Sequence, residues 1–385
     1  MVGLPEYLPM IHWEVGNMRI KEIVNIPIEI PLTKSYGGST YNVPKRCTII
    51  TRIRTENGLI SEVYNGDNRD YALDIIGIIQ RELAPLLIGE DALQIERLWE
   101  KMYSISYRNR DRQLVMEAIA CVDTALWDLL GKFCGVSVCN LLGGYRSSLP
   151  IITIAGYYEE GKTLNDLAKE MEWLRNVGMA GCKMKVGGLS PEQDAERVAS
   201  ARDGAGKDFI LMVDANRGWN VEDAIRFAHL IEHLDIRWFE EPCYWHDDAY
   251  MMSRVRQATR IPINAGQSEI TSHGVRRLLV AGAVDYINFD ASESGGITEW
   301  RKVAGMCAVF GVKMAHHEEP QIAIHMLAAV PHGSYLECFA PERDPGWHLL
   351  AANRPSIKNG VVDVPQGAGF DLVLDQSIIK KYRID

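Results

Sequence analysis

Two lysines one residue apart, Lys183 and Lys185 in Gly181-Cys182-Lys183-Met184-Lys185-Val186-Gly187, carry the clearest chemical signal in the chain. Cys182, Met184 and Val186 alternate with them, so the segment reads as a buried strand with both ammonium groups on one face. Burying two like charges is costly unless anions balance them. Such crowding also moves a lysine toward the range useful for proton transfer. The bland alternative is a solvated edge strand with its lysines turned outward. The polar residues at later strand ends decide against it.

Acidic and amide residues recur at the ends of similar apolar runs. The run 209–213 ends in Asp214, with Asn216 two residues on, and 236–239 leads into Glu240-Glu241-Pro242. The run 261–266 leads into Gln267 and Glu269, 285–289 ends in Asp290, 311–315 ends in His316-His317, and Tyr335-Leu336 ends in Glu337. With 151–155 and the lysine strand these make eight strands, roughly 24 to 31 residues apart, separated by helix-like segments. That rhythm is a βα repeat closing into a barrel, where chemistry sits at the C-terminal strand ends.

Asp214, Glu240 and one of Gln267 or Glu269 would offer oxygen ligands from three successive strands. Such a set favours magnesium, with open positions for water and substrate. Glu241 is explained well enough as a loop or helix-capping carboxylate. Beyond them, Asp290 and His317 stand at the ends of neighbouring strands, where an aspartate orients an imidazole and raises its basicity. Parity selects the histidine: Val312, Met314 and His316 share one face, while Lys313, Ala315 and His317 share the other. The apolar face should meet the helices, which turns His317 into the barrel, across from Lys185.

These motifs resemble the enolase superfamily and, within it, the mandelate racemase subgroup. The resemblance rests on Lys183-Met184-Lys185, Val213-Asp214-Ala215-Asn216, Phe239-Glu240-Glu241-Pro242, Asp290 five residues before Gly295-Gly296, His317, and Tyr335-Leu336-Glu337. It implies a (β/α)7β modified TIM barrel under an N-terminal α+β capping domain. It also implies Lys185 and His317 as bases, Asp214 and Glu240 as magnesium ligands, and Glu337 and Lys183 at the same centre. One departure stands out: the family's Gly-Glu at the third ligand strand is Gly266-Gln267 here, with Glu269 two places on, and either residue remains open. The subgroup consists largely of acid-sugar dehydratases. The expected activity is therefore removal of a proton next to a carboxylate, followed by loss of a β-hydroxyl as water to give a 2-keto-3-deoxy acid. Racemisation or epimerisation with the same two bases is the alternative.

At 385 residues the chain exceeds one typical core. The expected division is a capping domain over 1–145, the barrel over 146–355, and a C-terminal segment 356–385 returning to the cap. A net charge of −10 argues against a nucleic-acid partner and leaves a small molecule as the expected one. The eight cysteines are scattered without zinc spacing, so reduced thiols in a cytoplasmic enzyme are expected; a homo-oligomer is also expected. No apolar run is long enough for a membrane span, and 1–16 reads as a loose leader rather than a secretory signal.

In the first domain, 18–31 and 46–64 read as strands, the second with an Asn57-Gly58 hairpin turn. Helices are expected near 71–87, 93–103 and 114–134; in the last, Ala118, Val122, Ala125, Leu126 and Leu129 form one apolar stripe. The glycine-bearing loop 34–43, with Tyr36, is a candidate lid touching substrate. Arg108-Asn109-Arg110 reads as a solvated connection. Two rival motifs remain. Gly156 to Thr163 fits the phosphate-loop pattern of a nucleotide hydrolase, but Glu159 and Glu160 would sit inside an anion cradle. His229 and His233 have one-turn spacing without the glutamate of a zinc hydrolase at its place.

Overall fold

The computed structural model describes residues 17–66, 70–108 and 110–384. The leader assigned to 1–16 and residue Asn109 lie outside them. Three antiparallel strands come first: β1 (Ile20–Gly37), β2 (Asn42–Thr55) and β3 (Ile60–Asn65). Isoleucines populate both faces of this sheet. Ile20, Ile23, Ile49 and Ile53 face the main core, whereas Ile26, Ile28, Ile30 and Ile50 face Ile379 and Leu350 near the chain's end. The helix Gln376–Tyr382 thus covers the outer face of the sheet, and Ile28 bridges to Arg383. The turn into β3 uses Gly58 at a φ of 90°, as an Asn-Gly hairpin requires.

The loop expected at 34–43 is instead the tip of a long hairpin. Pairing resumes beyond an irregularity as Tyr36↔Val43 and Gly37↔Asn42. The reason is burial: Tyr36 and Val43 pack with Ile154, Tyr157 and Phe339 at the barrel mouth. Lys34 and Ser35 interrupt the alternation locally, which hides the strand from a sequence pattern.

The helical segments form at Ala72–Leu87, with a π turn over Ile79–Leu83, at Ile95–Tyr103 and at Arg112–Cys134. Asp111 caps the last by accepting from the Gln113 and Leu114 amides, and Gly135 ends it in the left-handed region. This helix is buried nearly all round, including Asp123, because it lies between the sheet and the barrel.

The barrel strands follow in order: β4 (Ser148–Ala155), β5 (Gly181–Lys185), β6 (Ile210–Asp214), β7 (Ile236–Glu240), β8 (Ile263–Ala265), β9 (Tyr286–Ile287), β10 (Lys313–Met314) and β11 (Leu336–Cys338). Sequential strands pair in parallel from β4 to β10, and β11 returns to pair with β4. Met314 N donates to His332 O at 2.8 Å, and Met314 bridges to Gly333, joining β10 to the segment that leads into β11. Ile152, Met212, Trp238, Tyr286 and Ala315 fill the interior. The architecture is the expected (β/α)7β barrel with an α+β cap. After it, β12 (Ile357–Lys358) and β13 (Val361–Asp363) add an antiparallel edge on β4. All eight cysteines are free thiols, and no helix among the described residues is long and apolar enough to cross a membrane.

Candidate active site

Parallel register sets the last residues of successive strands side by side. Lys185 pairs with Asp214, and Asp214 with Glu240. Lys185 Nζ meets Asp214 Oδ2 at 2.6 Å; Lys183 Nζ lies 2.6 Å from Glu240 Oε1 and 2.7 Å from Glu337 Oε1. Lys183, Asp214, Glu240 and Glu337 are wholly shielded from solvent. Asp214 Oδ1 also accepts the Asn216 amide at 2.8 Å, and Glu240 Oε2 accepts from Trp238 Nε1 and Asn264 Nδ2. The lysines therefore point inward, as their alternation requires.

Burial works against charge on every one of these groups, and the partners decide the outcome. For Lys185 and Lys183 burial lowers the pKa, yet the facing carboxylates outweigh it and hold both ammonium groups protonated above the ordinary lysine range. The expected downward move of a lysine is thus not found in this arrangement: the carboxylates outnumber the like-charge neighbours. Burial would raise Asp214, but Lys185 and Lys183 hold it down at about 2. Glu240 goes the other way, pushed up by burial to about 8. Three carboxylates thus face two ammonium groups in this layer. A surplus of buried oxygen donors suits a hard divalent cation. Asn216 Oδ1 is a further buried oxygen without a hydrogen-bond partner.

A cavity of about 420 Å³ opens above this layer, and Lys185, Asn216, Gln267, His317 and Tyr36 line it. His317 Nδ1 lies 3.0 Å from Asp290 Oδ2, and Asp290 Oδ1 accepts the Ser292 amide at 2.7 Å. His316 turns away and accepts from the Ala291 amide, as parity predicts. Asp290, Glu293 and His317 also place ligand-type atoms within 4.8 Å of one another. The Nδ1–Oδ2 contact makes a hydrogen-bonded dyad the simpler account of that group.

Gln267 and Glu269 part company. Gln267 Oε1 accepts from Asn288 Nδ2 at 2.9 Å at the cavity wall. Glu269 runs to Arg277 at 3.1 Å and lies beside Asp248, so it does not join Asp214 and Glu240. The divergence has a clear cause: β8 ends at Ala265, and Gly266 at a φ of 131° turns the chain out of the alternation.

The hairpin tip roofs the cavity. Ser39 Oγ donates to Ala215 O at 2.7 Å, and Tyr36 Oη donates to Arg343 O at 3.2 Å. The rings of Tyr41 and Tyr157 flank Lys185 Nζ at 5.6 and 5.9 Å. Sequence reasoning missed Arg46, Glu318 and Arg217, which also line the cavity. The backbone, not the sequence, marks the last two: Asn216, Arg217, Glu241, Glu318 and Glu319 all hold positive φ without being glycine. Such strain clusters at functional sites.

The rival motifs do other work. Lys162 is paired with Glu170 at 2.7 Å and Glu159 at 3.2 Å, and Thr163 caps the following helix. His229 bonds Ala258 O, while His233 lies in a separate turn. Arg110 is paired with Glu82 rather than turned to the cavity.

Residues 23–143 match the family described as mandelate racemase / muconate lactonizing enzyme, N-terminal domain, and 166–378 match the enolase C-terminal domain-like family. The chain is 30% identical over 355 residues to a 3,6-anhydro-alpha-L-galactonate cycloisomerase of Streptomyces coelicolor, across 92% of this chain and 95% of that protein. It is 30% identical over 342 residues to an arabinonate dehydratase of Saccharolobus solfataricus, across 87% and 90% respectively. A mandelate racemase/muconate lactonizing enzyme from a marine actinobacterium, solved in complex with magnesium, matches with a TM-score of 0.89 at 43% identity over 95% of this chain and 99% of that one. Family matches over both domains, with the same barrel and cap, place this chain in the enolase superfamily, in its mandelate racemase / muconate lactonizing enzyme group.

Proposed function

We propose that this chain is a magnesium-dependent acid-sugar dehydratase that removes the proton α to a carboxylate and expels a β-hydroxyl as water. The observation that carries the reading is one cavity lined by both Lys185 and His317, with three buried carboxylates behind the lysine. Asp214, Glu240 and Gln267 are the residues that would hold the metal. Magnesium bound there would supply a fixed positive charge for the substrate carboxylate. Lys183, locked between Glu240 and Glu337, adds a second fixed cation where negative charge grows as the α-proton leaves, typically the largest catalytic term.

In its neutral form Lys185 takes the α-proton from one face; a cation held by Asp214 and Glu240 would offset the negative charge that keeps this ammonium protonated in the metal-free site. The C–H electron pair forms the new carbon–carbon double bond, the C–O bond breaks, and His317 delivers a proton to the departing hydroxyl. Asp290 fixes the tautomer with Nε2 toward the cavity. The enol product then becomes a 2-keto-3-deoxy acid. Screening mono- and di-acid sugars for 2-keto products tests the proposal; no keto acid from any of them overturns it. A racemase or epimerase would use the same two bases, and it is recognised by inversion at the α-carbon without keto acid.

A further inference from the structure

His317 is followed by two residues in left-handed backbone, with φ of 50° at both Glu318 and Glu319. A non-glycine residue keeps that conformation only where its surroundings over-determine it. Here they do. Glu319 accepts from Gly66 N at 3.0 Å and from Gln321 Nε2 at 2.8 Å, and Glu318 N donates to Glu337 Oε2 at 3.2 Å. The turn brings the Glu318 carboxylate to the cavity wall, with Oε1 3.6 Å from His317 Nε2. Its other oxygen is held at 2.7 Å by Arg46, which reaches across from β2 of the cap. Arg46 is only 6% exposed. It lies 3.3 Å from Tyr36 Oη, 3.8 Å from Asp344 Oδ1 and 4.9 Å from the centre of the Phe339 ring.

Since Nδ1 is committed to Asp290, Nε2 is the nitrogen that meets substrate. A substrate group beside Nε2 therefore also lies within reach of Glu318 Oε1. An ionised carboxylate accepts hydrogen bonds and donates none, so it selects a hydroxyl and repels a second carboxylate.

Building on the acid-sugar reading, we propose that Glu318 is a specificity-determining residue, accepting a hydrogen bond from the substrate hydroxyl adjacent to the departing one on the His317 side, and that Arg46 is the positioning residue that holds it there. The substrate class narrows accordingly to polyhydroxy acids that bring a hydroxyl-bearing carbon, and not a second carboxylate, to this side of the cavity.

The test compares the preferred acid sugar with its analogue deoxygenated at the contacted hydroxyl, in wild type, Glu318→Ala, Glu318→Gln, Arg46→Met and Arg46→Lys. Sites built to bond a hydroxyl lose their advantage when either partner is removed. Glu318→Ala should lose roughly 10²-fold in kcat/KM on the full substrate, the worth of one hydrogen bond to a charged group, and little on the deoxy analogue. Arg46→Met should show the same substrate pattern, with partial recovery in Arg46→Lys. Glu318→Gln, nearly isosteric, should raise the relative kcat/KM for di-acid sugars by roughly tenfold by removing the repulsion, and it serves as the readout if the alanine variant fails to fold. Equal losses on both substrates, or none, overturn the Glu318 assignment while wild-type α-proton exchange in heavy water upholds the acid-sugar reading. A wild type that exchanges no α-proton from any acid sugar overturns both.

Discussion

Lys185 and Asp214 occupy one register position on neighbouring strands, and their side chains meet at 2.6 Å. Glu240 continues the row on the next strand. Asp214→Ala takes from the buried Lys185 ammonium its 2.6 Å carboxylate partner and should destabilise the metal-free protein by about 3 to 5 kcal/mol; Glu240→Ala leaves Lys183 its contact with Glu337 and should cost less, and each change should abolish metal-dependent turnover. Denaturant titration and magnesium dependence of rate check this. Trp238 Nε1 donates to Glu240 Oε2, so its fluorescence should report magnesium binding in the wild type. Full turnover after exhaustive chelation overturns the metal assignment.

The two bases should fail differently. General acid–base groups contribute roughly 10² to 10⁴ in rate each. For a substrate whose α-proton faces the lysine, Lys185→Ala should stop both turnover and α-proton exchange. His317→Asn should stop keto-acid formation while exchange continues, and Asp290→Asn should weaken turnover less. Proton NMR in heavy water reads all three. Exchange from opposite enantiomers in the two single mutants, without keto acid, would mark a racemase instead.

Gln267 and Glu269 give a sharper contrast than their spacing suggests. Gln267→Ala should weaken apparent magnesium affinity. Glu269→Ala should leave that affinity unchanged, since its carboxylate meets Arg277 outside the cavity. Activity measured against magnesium concentration separates the two; a metal defect confined to Glu269→Ala reverses the assignment.

Asp123 predicts a pH effect on folding. It accepts from Thr298 N at 3.0 Å and Thr298 Oγ1 at 2.6 Å, linking the cap's long helix to the helix Ile297–Phe310. Burial pushes its carboxyl up to about 7. Between about pH 4 and pH 7 the unfolded chain has released this proton while the folded one keeps it, so this group's contribution to stability falls as pH rises through that window. Above it the penalty is constant. Asp123→Asn should flatten that part of the stability profile in urea titrations at several pH values; an unchanged slope counts against the assignment.

Strand alternation is local, and so the amino-acid order alone determined the barrel and most of its polar strand ends. Lys183 and Lys185 had to share a face, and His317 rather than His316 had to point inward, because side chains in a strand alternate whatever surrounds them. That logic stops where a strand stops. Gly266 ends the alternation in β8, and only the packed structure shows Gln267 staying at the cavity while Glu269 leaves for Arg277. The hairpin tip paired because Tyr36 and Val43 found apolar partners across the barrel mouth, a contact no local pattern encodes. Arg46 and Glu318, separated by 272 positions, meet only when the cap closes on the barrel. Left-handed backbone at Glu318 further removes it from the parity that located its neighbour. Periodicity thus placed the groups at strand ends, and long-range packing decided which loop side chains turn back to join them.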